Sequence, residues 1–368
     1  MAFSALEAQG AAVAVGQFNR YQGTDGVLVN SPYTGVDLDL DERTKLAMHY
    51  TLDAVSAASF NYSQGKTHRN DPSRQAGSCK TCHTGVDAIS GASQMYQDNR
   101  HDVNLRVTRK IGETDVRPGY IRSEENDYVS QTIKLDLDQN LFSRNSTWSI
   151  GFRRLSDLIT PVWTKNITHS LITDGASLGL TQILTRGTVV KAGVDYTQAN
   201  GFQSNPYAWI QIGNQTSSPV PERHPEEKQR VDLSASLKQA LPWSSALELD
   251  YRYYQDTWDV KAHTAEVGLT KDFGWLVVEP FWRYYAQNQA YFFKNFYSVQ
   301  ETYLSRDLKL AEFSTQMLSL SLRGELGNGW STQFRYSHFM RQDDLDYRRY
   351  FADVAVTADL FVLGFTYQ

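Results

Sequence analysis

Several features are scarce in this chain of 368 residues, and each scarcity excludes a class of protein. Only two cysteines are present, which excludes a fold held together by many disulfides. No apolar run approaches the roughly 18 uninterrupted positions that indicate a transmembrane helix. Basic residues are not in excess: the net charge is −5 and no polybasic run occurs, which argues against nucleic acid as a partner.

Aromatic side chains, in contrast, are abundant. Tyrosine, phenylalanine and tryptophan make up 12% of a chain that is only 41% hydrophobic. A polar average, many aromatic residues and no long apolar run are typical of an outer-membrane β-barrel. The segment after Met1 lacks a charged start followed by an apolar stretch, as expected of a chain numbered after removal of a signal sequence.

Apolar and polar residues alternate along most of the chain. Every second residue is apolar in residues 247–253, and its neighbours are charged; residues 318–323 repeat the pattern. A period of two predicts β-strands, and segments of roughly 10–15 residues suit strands that cross a membrane. The pattern predicts about 16 strands, over residues 11–21, 34–41, 45–54, 100–111, 114–124, 128–138, 146–155, 169–183, 186–197, 228–240, 245–256, 259–271, 275–287, 312–325, 329–340 and 355–367.

The predicted connections alternate between short turns and long loops. Short periplasmic turns and longer extracellular loops are the asymmetry of an outer-membrane barrel. The sequence therefore predicts an all-β protein, a transmembrane antiparallel barrel of the bacterial outer membrane, with residues 1–368 forming a single domain in contact with membrane lipid. The long connections are residues 55–99, 156–168, 198–227, 288–311 and 341–354.

One motif stands out, the C-x-x-C-H run Cys79-Lys80-Thr81-Cys82-His83. It is the attachment signature of c-type haem, because two thiols at this spacing can bond to the two vinyl groups on one porphyrin edge. The next residue, His83, then lies under the iron as the proximal ligand. The motif predicts one covalent haem c on Cys79 and Cys82.

Two other interpretations of the motif remain open. Cys79 and Cys82 could form a local disulfide, with His83 an ordinary loop residue. They could also bind another metal, although a structural zinc site normally needs a second ligand pair. The chain has no second C-x-x-C and no pair of histidines at zinc-binding spacing.

The motif lies in the long connection 55–99. A loop of this length is usually functional, and a barrel of about 16 strands is wide enough to leave a channel. We therefore expect residues 55–99 to fold back into the lumen and to hold the haem there, as a plug within the barrel.

The second axial ligand of the iron is expected near this loop. His68 precedes His83 by 15 positions in the same loop and can fold onto it freely. His49 has the opposite parity to Met48 and Tyr50 on its predicted strand, so it should face the lumen. The candidates, in order of preference, are His68, His49, Met95 and His101.

Charged residues of inward parity are predicted to form the solvated wall of the lumen. They are Lys191, Asp195, Glu248, Asp250 and Arg252. The loop or outward histidines carry no predicted role; they are His224, His263 and His338.

Several runs resemble a bacterial family of outer-membrane barrel proteins known mainly as a domain of unknown function. The resemblance spans roughly residues 45–325 and implies a barrel; the family's neighbourhood of redox maturation proteins implies electron transfer. The C-x-x-C-H run departs from the family pattern and is similar to that of fused cytochrome–porins. The runs that carry the family resemblance are residues 53–59, 87–93, 123–128, 221–225, 251–258, 283–287 and 305–310.

The function expected from the sequence is that of an outer-membrane cytochrome–porin. Its haem would pass electrons between a periplasmic or multihaem c-type cytochrome and an extracellular donor or acceptor. A single haem cannot bridge a hydrocarbon core of about 30 Å, so a partner haem is implied. We expect an electron conduit rather than an enzyme, because no hydrolytic or phosphate-binding motif occurs.

Two alternatives belong to other classes. The first is a passive or substrate-selective porin with a Cys79–Cys82 disulfide. The second is a barrel that sheathes a separate multihaem cytochrome.

Overall fold

The computed structural model describes residues 12–24, 28–56, 97–161, 167–206, 208–213, 219–342 and 357–367. These residues form strands almost throughout, with 3-10 turns at Phe142–Arg144 and Leu308–Leu310. No described helix has the length and apolar character needed to span a bilayer. The strands are β1 (Ala12–Gly23), β2 (Leu28–Asp41), β3 (Thr44–Ser56), β4 (Gln97–Ile111), β5 (Thr114–Glu124), β6 (Tyr128–Leu141), β7 (Ser146–Ile159), β8 (His169–Thr185), β9 (Thr188–Gly201), β10 (Trp209–Ile210), β11 (Val220–Pro221), β12 (Glu227–Leu241), β13 (Ser245–Asp256), β14 (Lys261–Asp272), β15 (Leu276–Gln287), β16 (Phe313–Gly327), β17 (Trp330–Gln342) and β18 (Thr357–Tyr367).

The strands close into a barrel. All of them except β10 and β11 pair antiparallel with their neighbours in chain order, and β1 pairs with β18 to complete the ring. Closure satisfies the backbone hydrogen bonds of every strand, which a membrane-spanning sheet requires. The predicted fold class, an antiparallel barrel of about 16 strands, is confirmed.

Side chains alternate between the lumen and the outer surface, as the sequence period requires. Met48 pairs with Leu105, and both are exposed on the outside, whereas the next pair, His49 with Asn104, faces inward. The outward rows are apolar along the middle of the barrel. Exposed Trp243 lies in a short turn, as expected of the aromatic girdle at a membrane interface.

Several strand boundaries differ from the predictions. β2 begins at Leu28, six positions before the predicted start, because Pro32 interrupts the alternation without ending the strand. Pro32 pairs with Phe18 of β1, while the register with β3 passes from Asn30 to Tyr33 and so omits the residue that lacks an N–H. The short ribbon β10–β11 lies inside a predicted loop.

The haem-bearing segment 55–99 is only partly described. β3 ends at Ser56 and β4 begins at Gln97, so both of its ends belong to the barrel wall. Residues 57–96 lie outside the described part of the chain, and their folding into the lumen stays a prediction.

Candidate functional site

Most residues of the predicted haem site lie outside the described ranges. These are Cys79, Cys82, His83, His68 and Met95. Of the predicted ligands, only His49 and His101 have a described position. Among the described residues, no group of three His, Cys, Asp or Glu side chains could hold a metal ion.

His49 faces the lumen, as predicted. Its Nε2 lies 3.0 Å from Asp37 Oδ1, and its ring lies beside that of Tyr33 at 5.5 Å between centroids. The imidazole passes so close to Gly35 that a Cβ there would lie 2.5 Å from His49 Cδ2. The carboxylate of Asp37 therefore fixes the ring and leaves Nδ1 as the nitrogen available to a further partner.

His101 faces the other way. Its Nδ1 lies 2.7 Å from the hydroxyl of Tyr50, and both side chains stand on the outer surface of the barrel. A ligand to a haem in the lumen must point inward, so His101 is removed from the candidate ligands. Neighbouring residues on a strand face opposite sides, which separates Tyr50 from His49.

Charged side chains of both signs cover part of the inner wall. Arg153 donates to both carboxylate oxygens of Asp195, at 2.7 Å each, and to the hydroxyl of Thr197 at 2.8 Å. The predicted inward charges on β9 and β13 are confirmed, since Lys191, Glu248, Asp250 and Arg252 line one depression of this wall. Further inward ion pairs join Arg252 to Asp232, Arg283 to Glu266, Arg323 to Glu279 and Lys238 to Glu248.

Two long connections meet at one end of the barrel. We call residues 202–226 and 288–312 the paired loops, and the description that follows covers their described residues. Arg223 and Leu304 exchange backbone hydrogen bonds of 3.0 and 2.8 Å across the two loops, and Gly213 donates to the carbonyl of Tyr297 at 2.8 Å. The loops are therefore joined by backbone pairing, like strands of a sheet.

An apolar cluster fills the space beneath the paired loops. Tyr297 is almost fully buried beside Ile210 and Leu304. Its hydroxyl donates to the carbonyl of Phe292 and accepts from the Ser305 N–H at 2.8 Å. Burial raises the pKa of Tyr297 to about 12, although the hydrogen bond from Ser305 opposes this.

Glu222 is the polar centre of the paired loops. Its side chain has no exposed surface, and Oε1 accepts hydrogen bonds from the Ser305 hydroxyl and from the Arg306 N–H at 3.2 Å. His224 Nε2 lies 3.3 Å from the same oxygen. His224 Nδ1 lies 2.9 Å from the Gln203 carbonyl, which can only accept, so Nδ1 carries a proton. One buried carboxylate thus links both loops.

These three groups do not form a catalytic triad. In a triad the imidazole takes the proton of the serine hydroxyl, and the carboxylate lies on the far side of the imidazole. Here the carboxylate of Glu222 lies between Ser305 and His224 and binds the hydroxyl directly. The arrangement serves to hold the loops together.

The paired loops are hydrogen-bonded to the inner face of the barrel. Gln287 donates to the carbonyls of Lys309 and Ala311 at 2.9 and 2.8 Å, and Arg341 donates to that of Leu308 at 2.8 Å. Gln287 and Arg341 have inward parity on β15 and β17. The loops therefore narrow the mouth of the lumen.

A second set of contacts joins the paired loops to β12. Lys228 forms an ion pair of 2.9 Å with Asp256, and its ammonium lies 4.0 Å from the centre of the Trp258 ring. The indole in turn contacts His224 and Phe292 at centroid distances of 5.3 and 5.2 Å. Trp258 thus connects the barrel wall to the Glu222 centre.

A cavity of about 940 Å³ opens between the paired loops and the strand ends. Its apolar lining includes Phe202, Tyr291 and Tyr303, and its charged lining includes Arg223 and Glu226. Aromatic faces with a few converging polar groups are the usual composition of a small-molecule pocket. The cavity therefore has the composition of a small-molecule site at the mouth of the barrel.

We expect Asp307 to make the closure of the paired loops dependent on pH. Burial, and then the charge of Glu222, raise the pKa of Asp307 above its ordinary value of 3.8. The closed loops therefore bind this proton more tightly than open ones, and closure weakens as the pH rises above 3.8.

We expect Asp307→Asn to strengthen closure at neutral pH. The asparagine oxygen can still accept a hydrogen bond from the Lys309 N–H, as the Asp307 carboxylate does at 2.9 Å. Hydrogen–deuterium exchange of the Arg223 and Leu304 amides, corrected for the intrinsic pH dependence, should slow at pH 7 and lose part of its pH dependence. Faster exchange in Asp307→Asn would contradict the assignment.

The sequence alone predicts no role for His224 and does not distinguish Glu222 or Ser305 from their neighbours. A signal was present, since residues 221–225 and 305–310 are two of the runs that carry the family resemblance. Their meeting could not be read from the sequence, because the two runs are separated by four barrel strands.

Two solved structures share the fold. CdiB from Acinetobacter baumannii has a TM-score of 0.54 at 9% identity, over 97% of this chain and 60% of CdiB. A bacterial polysaccharide outer membrane secretin has a TM-score of 0.50 at 10% identity, over 97% of this chain and 98% of that protein. At such identities the likeness shows the fold alone. The barrel is that of an outer-membrane protein, and the predicted location is confirmed.

The sequence comparison gives the family. No curated protein sequence matches this chain. The model of DUF3570, a family described as a protein of unknown function, matches residues 2–176 and 172–361. These ranges contain the runs that carried the resemblance, and both halves of the paired loops. The chain belongs to the DUF3570 family.

Proposed function

We propose that this protein is a solute-selective outer-membrane porin whose extracellular mouth is narrowed by the paired loops. The observation that carries the proposal is the inner wall, where fixed charges of both signs, such as Arg153 and Asp195, line the lumen. Burying such charges in a closed core would cost desolvation free energy, whereas in a water-filled channel they stay hydrated. This function makes the protein a channel rather than a catalyst.

The wall also indicates how selectivity arises. In these described ion pairs each inward arginine or lysine lies beside a carboxylate, so each pair presents both signs of charge to the lumen. We expect weak discrimination between small anions and cations, and stronger discrimination by size and polarity at the mouth.

The full chain reconstituted into a planar lipid bilayer tests the proposal. Insertion should produce stepwise increases in conductance in potassium chloride, with a reversal potential close to zero under a salt gradient. Heat-unfolded protein provides the control. Folded barrels that insert without any conductance would overturn the porin function.

A second candidate function rests on the C-x-x-C-H run. With one haem c bound through Cys79 and Cys82, the protein would act as a cytochrome–porin, with His83 and either His68 or His49 on the iron. His49 fits this role, because it faces the lumen and Asp37 orients its ring. Such a protein would need a periplasmic or multihaem c-type cytochrome and an extracellular electron donor or acceptor as partners.

A haem stain after denaturing electrophoresis separates the two candidates. Covalent haem survives denaturation. If the protein is a cytochrome–porin, the wild-type band should therefore stain, and Cys82→Ser should lose the stain while its barrel still assembles. An unstained wild-type band, with thiols that react only after reduction, would instead support the porin with a Cys79–Cys82 disulfide. Copurification of a separate multihaem protein would favour the role of a barrel sheath.

A further inference from the structure

One polar rung interrupts the outward rows of β7, β8 and β9. Each row is apolar on the side of the short turns. In the rung Arg154 pairs with Asp174, which in turn pairs with Gln198, and exposed Leu158 and Ile172 follow on the side of the long connections. Three polar side chains thus stand in one rung on the outer face. Arg154 lies five positions before the end of β7 at Ile159, and therefore in the half of the barrel nearer the long connections.

A trough lies next to this polar rung, on the side of the short turns. Ala176 pairs with Phe152 on one side and with Tyr196 on the other. Both rings project from the outer surface, and the methyl group of Ala176 is too small to fill the space between them. The result is an outward pocket of about 520 Å³ with aromatic walls and a shallow floor.

The polar rung closes the end of the trough that faces the long connections. Arg154 donates from Nε and Nη2 to the two oxygens of Asp174, at 2.8 and 2.9 Å. This bidentate pair uses two of the five N–H donors of the guanidinium. The remaining donors are free of any ion pair among the described residues and are suited to a second oxyanion.

We propose that this trough binds one lipid of the outer leaflet, with an acyl chain between Phe152 and Tyr196 and a phosphate on Arg154. An apolar slot that ends in a guanidinium matches an amphiphile with an anionic head group. The side of the long connections faces the outer leaflet, whose phosphates belong to glycolipid. The occupant is therefore the phosphorylated glycolipid of that leaflet, and not a phospholipid.

Native mass spectrometry of the detergent-extracted full chain tests the proposal. Wild-type protein should carry one glycolipid that survives mild delipidation. Ala176→Leu fills the trough and should lose most of the glycolipid-bound fraction, and Arg154→Gln should retain less than wild type. Ala192→Leu adds the same side chain to the outer face of β9 outside the trough and should retain the lipid.

Folding of each variant is checked by the heat-dependent migration of the barrel in electrophoresis. Equal glycolipid retention by Ala176→Leu and Ala192→Leu, in folded barrels, would overturn the site. Retention of phospholipid alone would overturn the assignment of the occupant. Neither result depends on whether the lumen conducts.

Discussion

Replacing Glu222 by alanine is expected to open the paired loops and to raise the conductance of the barrel. The substitution removes the carboxylate that accepts from the Ser305 hydroxyl and from the Arg306 N–H. Each buried donor left without a partner costs about 1–3 kcal/mol, so loop closure should weaken by a few kcal/mol. The barrel itself should remain intact, because its strands pair independently of the loops.

Two measurements check this expectation. Hydrogen–deuterium exchange of the Leu304 amide, which bonds to Arg223 at 2.8 Å, should accelerate in Glu222→Ala. Single-channel conductance should rise in the same variant. Glu312→Ala is the matched control, because it removes an exposed carboxylate from the paired loops that does not line the cavity. Equal behaviour of the two variants would show that Glu222 does not hold the loops together.

Breaking the inward pair Arg153–Asp195 is expected to shift ion selectivity in opposite directions. Asp195→Asn leaves the Arg153 charge uncompensated in the lumen, and the pore should then favour anions. Arg153→Gln leaves the Asp195 carboxylate uncompensated, and the pore should favour cations. Both side chains are partly exposed to the lumen, so the freed charge acts on the ions that pass it.

The neighbouring pair Arg154–Asp174 supplies a matched control. It has nearly the same bidentate geometry, at 2.8 and 2.9 Å, but stands on the lipid face of the barrel. Asp174→Asn should leave the reversal potential of the channel unchanged. A shift of the same sign in Asp195→Asn and Arg153→Gln, or a comparable shift in Asp174→Asn, would contradict the assignment of the two faces.

The fold was predictable because a barrel repeats one simple rule. Alternation placed His49 inside and Met48 outside, and the same rule placed Lys191 and Asp195 on the lumen wall. Exceptions arose where other forces override periodicity. Pro32 continues β2, because the pairing on its β3 side omits it.

The candidate site was only partly predictable. Glu222 and Ser305 lie in irregular loops, where no period links sequence position to direction in space. Their contact depends on how the two loops cross the rim, because β9 and β15 end on the same rim with β12, β13 and β14 between them. The family resemblance marked both runs without indicating that they meet.

The size limit for solute entry tests most directly the claim that the paired loops narrow a solvated channel. Liposomes containing the full chain should swell with small neutral sugars and fail to swell with larger ones. Glu222→Ala should admit sugars that the wild type excludes, and Glu312→Ala should match the wild type. An identical size limit in all three proteins, or no swelling with any sugar, would contradict the claim.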